Sequence, residues 1–572
     1  MVRLLPFLRW LPELRRPGVL RRDLVAGVTV AAVLVPQAMA YAELAGLPSV
    51  YGLYAAFLPP VIAAFWGSSR HLATGPVAMA SLISAATVGS VAAAGTEAYV
   101  SCSILLALMV GVLRLALGAL RLGVLVNLLS VPVIAGFTNA AALIIATSQL
   151  HHLLGVDSES GSFHLETVWR VLASAADLRW PTVGMAALAA AILILLRHRF
   201  EKVLAAVAAT TALSWVAGFD GEVVGHVPGG LPAFQLPAID PGLVLQLLPG
   251  AAVLTLIGLM EAMSIAKTIA ARSKHHIDVD QELVGQGLAN VAGSLFGSYA
   301  VSGSFSRSMV NFTNGAVTGF ASAVTSAAVL LTLLVLTPLF HHLPRATLAV
   351  IIVAAVLGLV RIQPVRRAWR VSRADALIAA VTFVATLALA PALHWGILIG
   401  VALSLLQFLR RTMRPHVAYL ARHPEGHLVD ADAHGLALGQ RIAILRFDGG
   451  LYFGDAGWFE DKVLEALSRL PQLRYLVFDA GGINEIDVTG VEALRRAVEE
   501  LRGVGVEVHV TRVKHGVYQV LESTGLADEI GEARFHDWNQ HALEELWDQM
   551  EPSYRDRCPL NVSTPEDAAD RV

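Results

Sequence analysis

Apolar runs of membrane-spanning dimensions, repeated at close intervals from residue 24 to residue 410, leave this chain no natural solvent except a lipid bilayer. They lie at roughly 24–45, 49–66, 73–90, 99–119, 124–153, 182–198, 202–218, 244–268, 282–298, 304–313, 317–340, 345–360, 374–391 and 394–410, fourteen segments in all. Hydrocarbon offers no hydrogen-bond partner to the backbone, so such segments are expected to be helical. With 55% apolar and only 15% charged residues, a soluble core could not absorb them.

Charge tests the count, because short cytoplasmic connections are rich in Lys and Arg. Arg70, Arg114 with Arg121, Arg197 to Lys202, Arg272 to Lys274, Arg361 to Arg373 and Arg410 to Arg414 all fall on the side of the N-terminus. Between Lys202 and Lys267 there is no Lys or Arg, while Asp220, Glu222 and Asp240 stand in a Gly/Pro-rich loop, as expected of an external connection. Both ends are therefore expected in the cytoplasm. Residues 1–23 carry Arg3, Arg9, Arg15, Arg16, Arg21 and Arg22 without a small-residue cleavage site, which reads as a retained cytoplasmic segment.

Two segments are too short to span. A helix from Pro76 to Val88 reaches about 20 Å and one from Ser304 to Phe312 about 14 Å, against a hydrocarbon core of roughly 30 Å. Each is third in a set of seven, the pattern of two inverted seven-span repeats with half-helices at the substrate site.

Up to Arg422 there are 28 Lys and Arg against 17 Asp and Glu; beyond it, 14 against 28. Two domains with different surroundings share the chain. After a transmembrane domain at 24–415 and a linker at 416–438, residues 439–550 alternate short apolar runs with amphipathic helices. Arg441 to Phe447, Leu473 to Phe478 and Val506 to Val513 read as strands, and Val491, Leu494, Val498 and Leu501 share one helix face. Residues 551–572 read as a polar tail.

The chemistry concentrates at Glu261 and the two half-helices. A carboxylate inside an apolar run is costly to keep ionised, which makes Glu261 a candidate proton carrier; the alternative is a structural glutamate held by hydroxyls, Arg307 or Lys267. The third segment opens Ala73-Thr74-Gly75-Pro76-Val77, where proline suits a first helical turn. The tenth opens with Ser302, Gly303, Ser304 and Ser306, residues that cap a helix and let an anion approach its N–H groups. Gly and Ser also serve simple close packing between helices. Arg307 either neutralises a dianion, pairs with a carboxylate or snorkels to the surface; Gln37, after the kink-forming Pro36, either donates to the same anion or is satisfied internally. Glu43 sits nearer the outer end of its helix, a weaker candidate.

Metal ligation is not indicated, since His151-His152, His275-His276 and His341-His342 lack a converging Cys or carboxylate set. No cofactor, nucleic acid partner or enzymatic activity is expected, and without a Walker-type loop ATP-driven transport is not indicated. Cys102 and Cys558 lie in different domains and form no disulfide framework.

Two motifs together resemble the sulfate permease (SulP-type) anion transporters. The first is Val35-Pro36-Gln37-Ala38-Met39-Ala40-Tyr41-Ala42, continuing through Leu44 to Pro48 and Gly52-Leu53-Tyr54 to Gly67-Ser68-Ser69-Arg70. The second is Glu261-Ala262-Met263-Ser264-Ile265-Ala266-Lys267, with Gln281-Glu282-Leu283 and Gly303-Ser304-Phe305-Ser306-Arg307-Ser308 downstream. The C-terminal domain resembles the STAS domain shared with bacterial anti-sigma-factor antagonists.

The resemblance implies a core domain of spans 1–4 and 8–11 and a gate domain of spans 5–7 and 12–14, moving elevator-fashion, usually as a homodimer. Together with the chemistry above, it makes Gln37, Thr74, Gly75, Pro76, Gly303, Ser304, Phe305, Ser306 and Arg307 the expected substrate site, and the buried carboxylate of Glu261 the expected proton-coupling group. Asp487-Val488-Thr489-Gly490 falls where the antagonists carry a phosphorylatable Asp-Ser-Ser-Gly, making Thr489 either a regulatory position or a cap for the helix from 490 onward. The expected function is proton-coupled uptake of an inorganic oxyanion, sulfate first, across the inner (plasma) membrane. The alternatives are bicarbonate, dicarboxylate or chloride transport by sodium symport or exchange, and a membrane-anchored sensor with vestigial transport. Membrane lipid and a soluble partner of the STAS domain complete the expected contacts.

Overall fold

The computed structural model describes residues 5–156, 164–196, 202–555 and 557–561. It divides into two compact units, with the boundary between Leu405 and Leu406. The ends of the chain and most of the basic run 197–202 lie outside the described residues.

In the first unit, fourteen helices correspond to the fourteen apolar segments: α1 Val19–Leu44, α2 Ser49–Trp66, α3 Ala78–Gly89, α4 Glu97–Ala119, α5 Val131–Ser148, α6 Trp180–Leu195, α7 Lys202–Ala217, α8 Pro241–Ser273, α9 Val279–Ser294, α10 Phe305–Thr313, α11 Phe320–Leu331, α12 Arg345–Leu357, α13 Arg373–Ala388 and α14 Leu393–Met413. Eight helical stretches among the described residues are long and apolar enough to cross a membrane. A further helix, Ile362–Val371, buries none of its residues and occupies the basic stretch after α12.

The third and tenth helices are indeed half-length, at 12 and 9 residues. Each follows a short strand, β1 Ala73–Gly75 and β2 Ser302–Ser304, and the two strands pair antiparallel: Ala73 opposite Ser304, Thr74 opposite Gly303, Gly75 opposite Ser302. The pairing satisfies backbone that would otherwise be unwound and unbonded in the membrane interior. It also moves the helix starts. Val77 is the N-cap of α3, so Pro76 stands just outside the helix rather than in its first turn, and α10 begins at Phe305 with Ser304 as N-cap.

The helices pack in two groups. Helix α9 lies against α2 and α4, α1 against α2 and α11, and α8 against α4; α5 lies against α12 and α13, and α6 against α7 and α12, the two groups meeting where α1 packs on α12. Close approach within the first group depends on small residues: a Cβ at Gly52 of α2 would sit 1.9 Å from the Ala38 carbonyl of α1.

Arg114 corrects the charge reading. It lies within α4, fully buried, donating to the carbonyls of Val301 (2.9 Å) and Leu254 (3.3 Å). Internal carbonyls bind both of its terminal nitrogens there, so it marks no cytoplasmic loop.

The second unit is a six-stranded sheet, in which β3 His416–Arg422, β4 Leu428–Asp430, β5 Ile442–Asp448, β6 Tyr475–Asp479, β7 Glu507–Thr511 and β8 Phe535–His536 lie in the order β4-β3-β5-β6-β7-β8. Strand β3 is antiparallel to β4 and β5; β5 to β8 run parallel. Helices α15 Ala456–Arg469 and α16 Val488–Gly503 cover one face through Phe459, Val463, Val491, Leu494, Val498 and Leu501. Helix α17 Asn539–Asp548 covers the other with Leu543 and Leu546. Residues 416–438, expected as a linker, thus contribute two strands. The stretch just past 550, expected as polar tail, buries Cys558 and Leu560 against β3, β5 and β6, so its apolar residues finish the second core.

Candidate functional site

The β1–β2 pair sets the starts of α3 and α10 side by side. A cavity of about 440 Å³ opens there, lined from α1 by Val33, Gln37 and Tyr41, from the two half-helix starts by Val77, Ala78, Ser304, Phe305 and Ser306, and by Glu261. Its remaining wall comes from the second helix group, including Lys202, Val203, Ile351 and Leu359. A cavity of about 190 Å³, bordered by Arg9, Arg70, His71 and His276, shares no lining residue with it.

The residues singled out from sequence separate into two layers. Gln37, Glu261, Ser304, Phe305 and Ser306 face the cavity, while Thr74, Gly75, Pro76, Gly303 and Arg307 brace it from behind. Gln37 is buried with its Oε1 unpaired, and Ser304 Oγ lies 3.4 Å from Ser306 Oγ. Glu261 is partly exposed to the cavity and makes no hydrogen bond or ion pair among the described residues. Lys267, weighed as its partner, is exposed.

Arg307 is fully buried. Its Nη2 donates to the Pro76 carbonyl at 2.8 Å, tying α10 to the start of α3, while Nε and Nη1 find no protein partner among the described residues. Gly75, beside that contact, has a φ of +150° that favours glycine. At Gly303 a Cβ would meet Leu72 at 2.8 Å and the Ala262 backbone at 3.3 Å, so β2 rests directly on the helix carrying Glu261. Thr74 accepts from Gln286 Nε2 at 2.7 Å.

Several contributors were not anticipated. Asn290 clamps Val301 at both N–H and carbonyl, Arg114 binds that carbonyl too, and Ser302 Oγ donates to Gly258. An arginine inside an otherwise apolar run was the signal for Arg114. Lys202 and Tyr41 carried no comparable mark. Glu43 accepts from Ser49 Oγ at 2.7 Å, away from the cavity.

This geometry could accommodate an anion without a dedicated cation for every negative charge. Helix N-termini offer unpaired N–H groups and a positive dipole end, and a buried guanidinium behind them adds a fixed charge. Glu261, facing the same space, can exchange a proton with it.

The chain matches the sulfate permease family over residues 20–382 and the STAS domain over residues 438–541. It belongs to the sulfate permease family. It is 33% identical to sulfate transporter 4.1, chloroplastic, of Arabidopsis thaliana, covering 95% of this chain and 83% of that one. A probable sulfate transporter of Mycobacterium tuberculosis is 33% identical over 90% of this chain and 93% of its own. Among solved structures, the murine solute carrier 26 family member A9 anion transporter in the inward-facing state superposes with a TM-score of 0.87 at 24% identity, covering 96% of this chain and 94% of that one. The transmembrane domain of the cyanobacterial bicarbonate transporter BicA gives 0.59 at 24% identity, over 68% and 98%. The permease is thus a multi-pass membrane anion transporter with a STAS domain, and not an enzyme.

In the STAS domain, Asp487 rather than Thr489 caps α16. Its Oδ1 accepts from Gly490 N–H at 2.8 Å and its Oδ2 from Phe453 N–H at 3.0 Å, one residue pair before the expected start. Thr489 is exposed in the first turn.

Proposed function

We propose that the permease takes up an inorganic oxyanion, sulfate first, together with a proton across the cell inner membrane, with its N-terminus and STAS domain in the cytoplasm. The observation that carries this reading is the shared cavity: two helix starts, serine hydroxyls, a buried amide and one unpartnered carboxylate meet in one space. The oxyanion sits against the N–H groups of α3 and α10, with Arg307 behind them and Gln37 across the cavity. Sulfate is favoured over other anions because relatives named as sulfate transporters match nearly the whole chain.

Both half-helices belong to one packed group and the opposite cavity wall to the other. Sliding of the first group past the second would carry the site across the bilayer intact, which supports an elevator-type movement. Lys202 and Leu359 lie at helix ends on the basic, cytoplasmic side, so the cavity is read as inward-facing.

The test is labelled-sulfate uptake in sodium-free proteoliposomes with an imposed inward proton gradient. Wild type should accumulate sulfate; Glu261→Gln, which mimics the protonated form, should lose gradient-driven accumulation while retaining anion binding and exchange. Unchanged accumulation in the variant would sink the proton role of Glu261. A strict sodium requirement would reassign the coupling ion, and no counterflow of any anion would return the sensor reading.

A further inference from the structure

The β3–β4 hairpin, at the edge of the STAS sheet, turns through His423-Pro424-Glu425-Gly426-His427, a run that anion transport leaves without a task. The backbone fixes this turn. His423 N–H donates to the His427 carbonyl at 2.8 Å, Gly426 N–H donates to the His423 carbonyl at 2.8 Å, and Gly426 takes a φ of +95° open chiefly to glycine. Its side chains converge on this frame. The imidazoles of His423 and His427 stack with centroids 5.0 Å apart and planes inclined by 28°. The Glu425 carboxylate lies 3.6 Å from His423 Nδ1. One ligand atom from each of the three residues lies within 4.8 Å of the other two.

A fourth group stands beside them. His434, ending the short helix Ala431–His434, sets its ring edge-on to His423 at 6.0 Å. Its Nδ1 is 3.0 Å from the Asp430 carbonyl, so as donor there it leaves the Nε2 lone pair outward. Ligating histidines are usually oriented in this way, with the second ring nitrogen bonded to a carbonyl or carboxylate.

Packing does not explain the convergence, because Glu425 and His427 are exposed and His423 is only half-buried. Two imidazoles held face to face repel each other once protonated, whereas a divalent cation between them and a carboxylate is attracted to all three. Two nitrogens and one oxygen form a borderline donor set of the kind zinc takes in tetrahedral sites.

We propose that His423, Glu425 and His427 bind a zinc ion, with His434 placed to supply the fourth ligand. Bonds of about 2.0–2.1 Å put tetrahedral ligand atoms roughly 3.4 Å apart. The site therefore forms by a small inward rotation of side chains that water, not protein, surrounds. His423 Nδ1 accepts only a long bond from Glu425 N–H, 3.3 Å, which a metal at that nitrogen would displace. Bound zinc closes the hairpin and ties it to the helix that carries His434.

The test uses the full-length protein in detergent after chelator treatment, titrated with zinc against a chromophoric chelator and, separately, with cobalt(II). Wild type should take up one zinc per chain at this site and give the intense visible absorption of tetrahedral cobalt. His427→Ala should weaken zinc at least tenfold and abolish the cobalt bands, and Glu425→Gln should weaken zinc less, a gradation expected when one of several ligands is removed. Both positions are exposed, so an unchanged melting temperature of the metal-free variants shows that folding is not the cause. Equal zinc affinity and equal cobalt spectra in wild type and His427→Ala would overturn the proposal, as would a wild type that binds no zinc.

Discussion

Arg307 reaches the proposed anion site from behind, and its consequence for selectivity follows from charge. It is fully buried and holds the start of α3 through Pro76, while two of its nitrogens find no partner among the described residues. Substitution by alanine should weaken sulfate more than chloride, since a fixed charge acts twice as strongly on a dianion. Arg114 and Lys202 supply further positive charge, so the loss for sulfate should be partial, about tenfold to a hundredfold, rather than complete. Counterflow of the two anions measures it, and equal losses would assign Arg307 a structural role only. Gly303→Val meets Leu72 and the Ala262 backbone and should lower the melting temperature by overpacking, costing about 1–3 kcal/mol.

At the scale of elements, the half-helices were legible because length in residues converts directly into reach across a bilayer. The strands between them were not. Three residues such as Ser302-Gly303-Ser304 carry no period-two signal and have low strand propensity, so only the tertiary pairing with Ala73–Gly75 makes them a strand. Arg114 was misplaced because the charge rule assigns a basic residue near the end of a span to a loop, although the apolar run 99–119 already enclosed it. The α16 cap was misread by two residues because both Asp487 and Thr489 can cap, and only Asp487 faces Gly490 N–H. Asp487→Ala should therefore cost the STAS domain about 1 kcal/mol, and Thr489→Val almost nothing, in chemical denaturation.

The stacked pair His509 and His536 makes a second element-level prediction. Their ring nitrogens lie 3.0 Å apart between β7 and β8, and burial, chiefly, pushes both below the ordinary imidazole value of 6.5. The folded domain thus keeps them neutral where the unfolded chain takes up protons. Stability from this pair is present above about pH 6.5 and declines as pH falls below it. The melting temperature of the STAS transition should drop between about pH 7.5 and about pH 5.5, and His509→Gln should flatten the slope; an unchanged slope would remove the pair from the account.

For the whole molecule, the two units have separate cores, and the proposed anion site draws on the first only. A chain ending after Met413 should still bind anion, checked by equilibrium binding on the detergent-purified fragment. The cut belongs there and not after Arg422, because β3 pairs with β4 and β5 and would be left as an unpaired strand.

The pairing of Ala73–Gly75 with Ser302–Ser304 also has a bearing on biogenesis. The Arg307 to Pro76 contact beside it joins residues 231 positions apart, so neither half of the permease holds a finished anion site. During synthesis the first seven spans emerge with one orphaned strand and one helix start facing nothing. The proposed site can therefore be complete only once the tenth helix has been threaded into place beside the third.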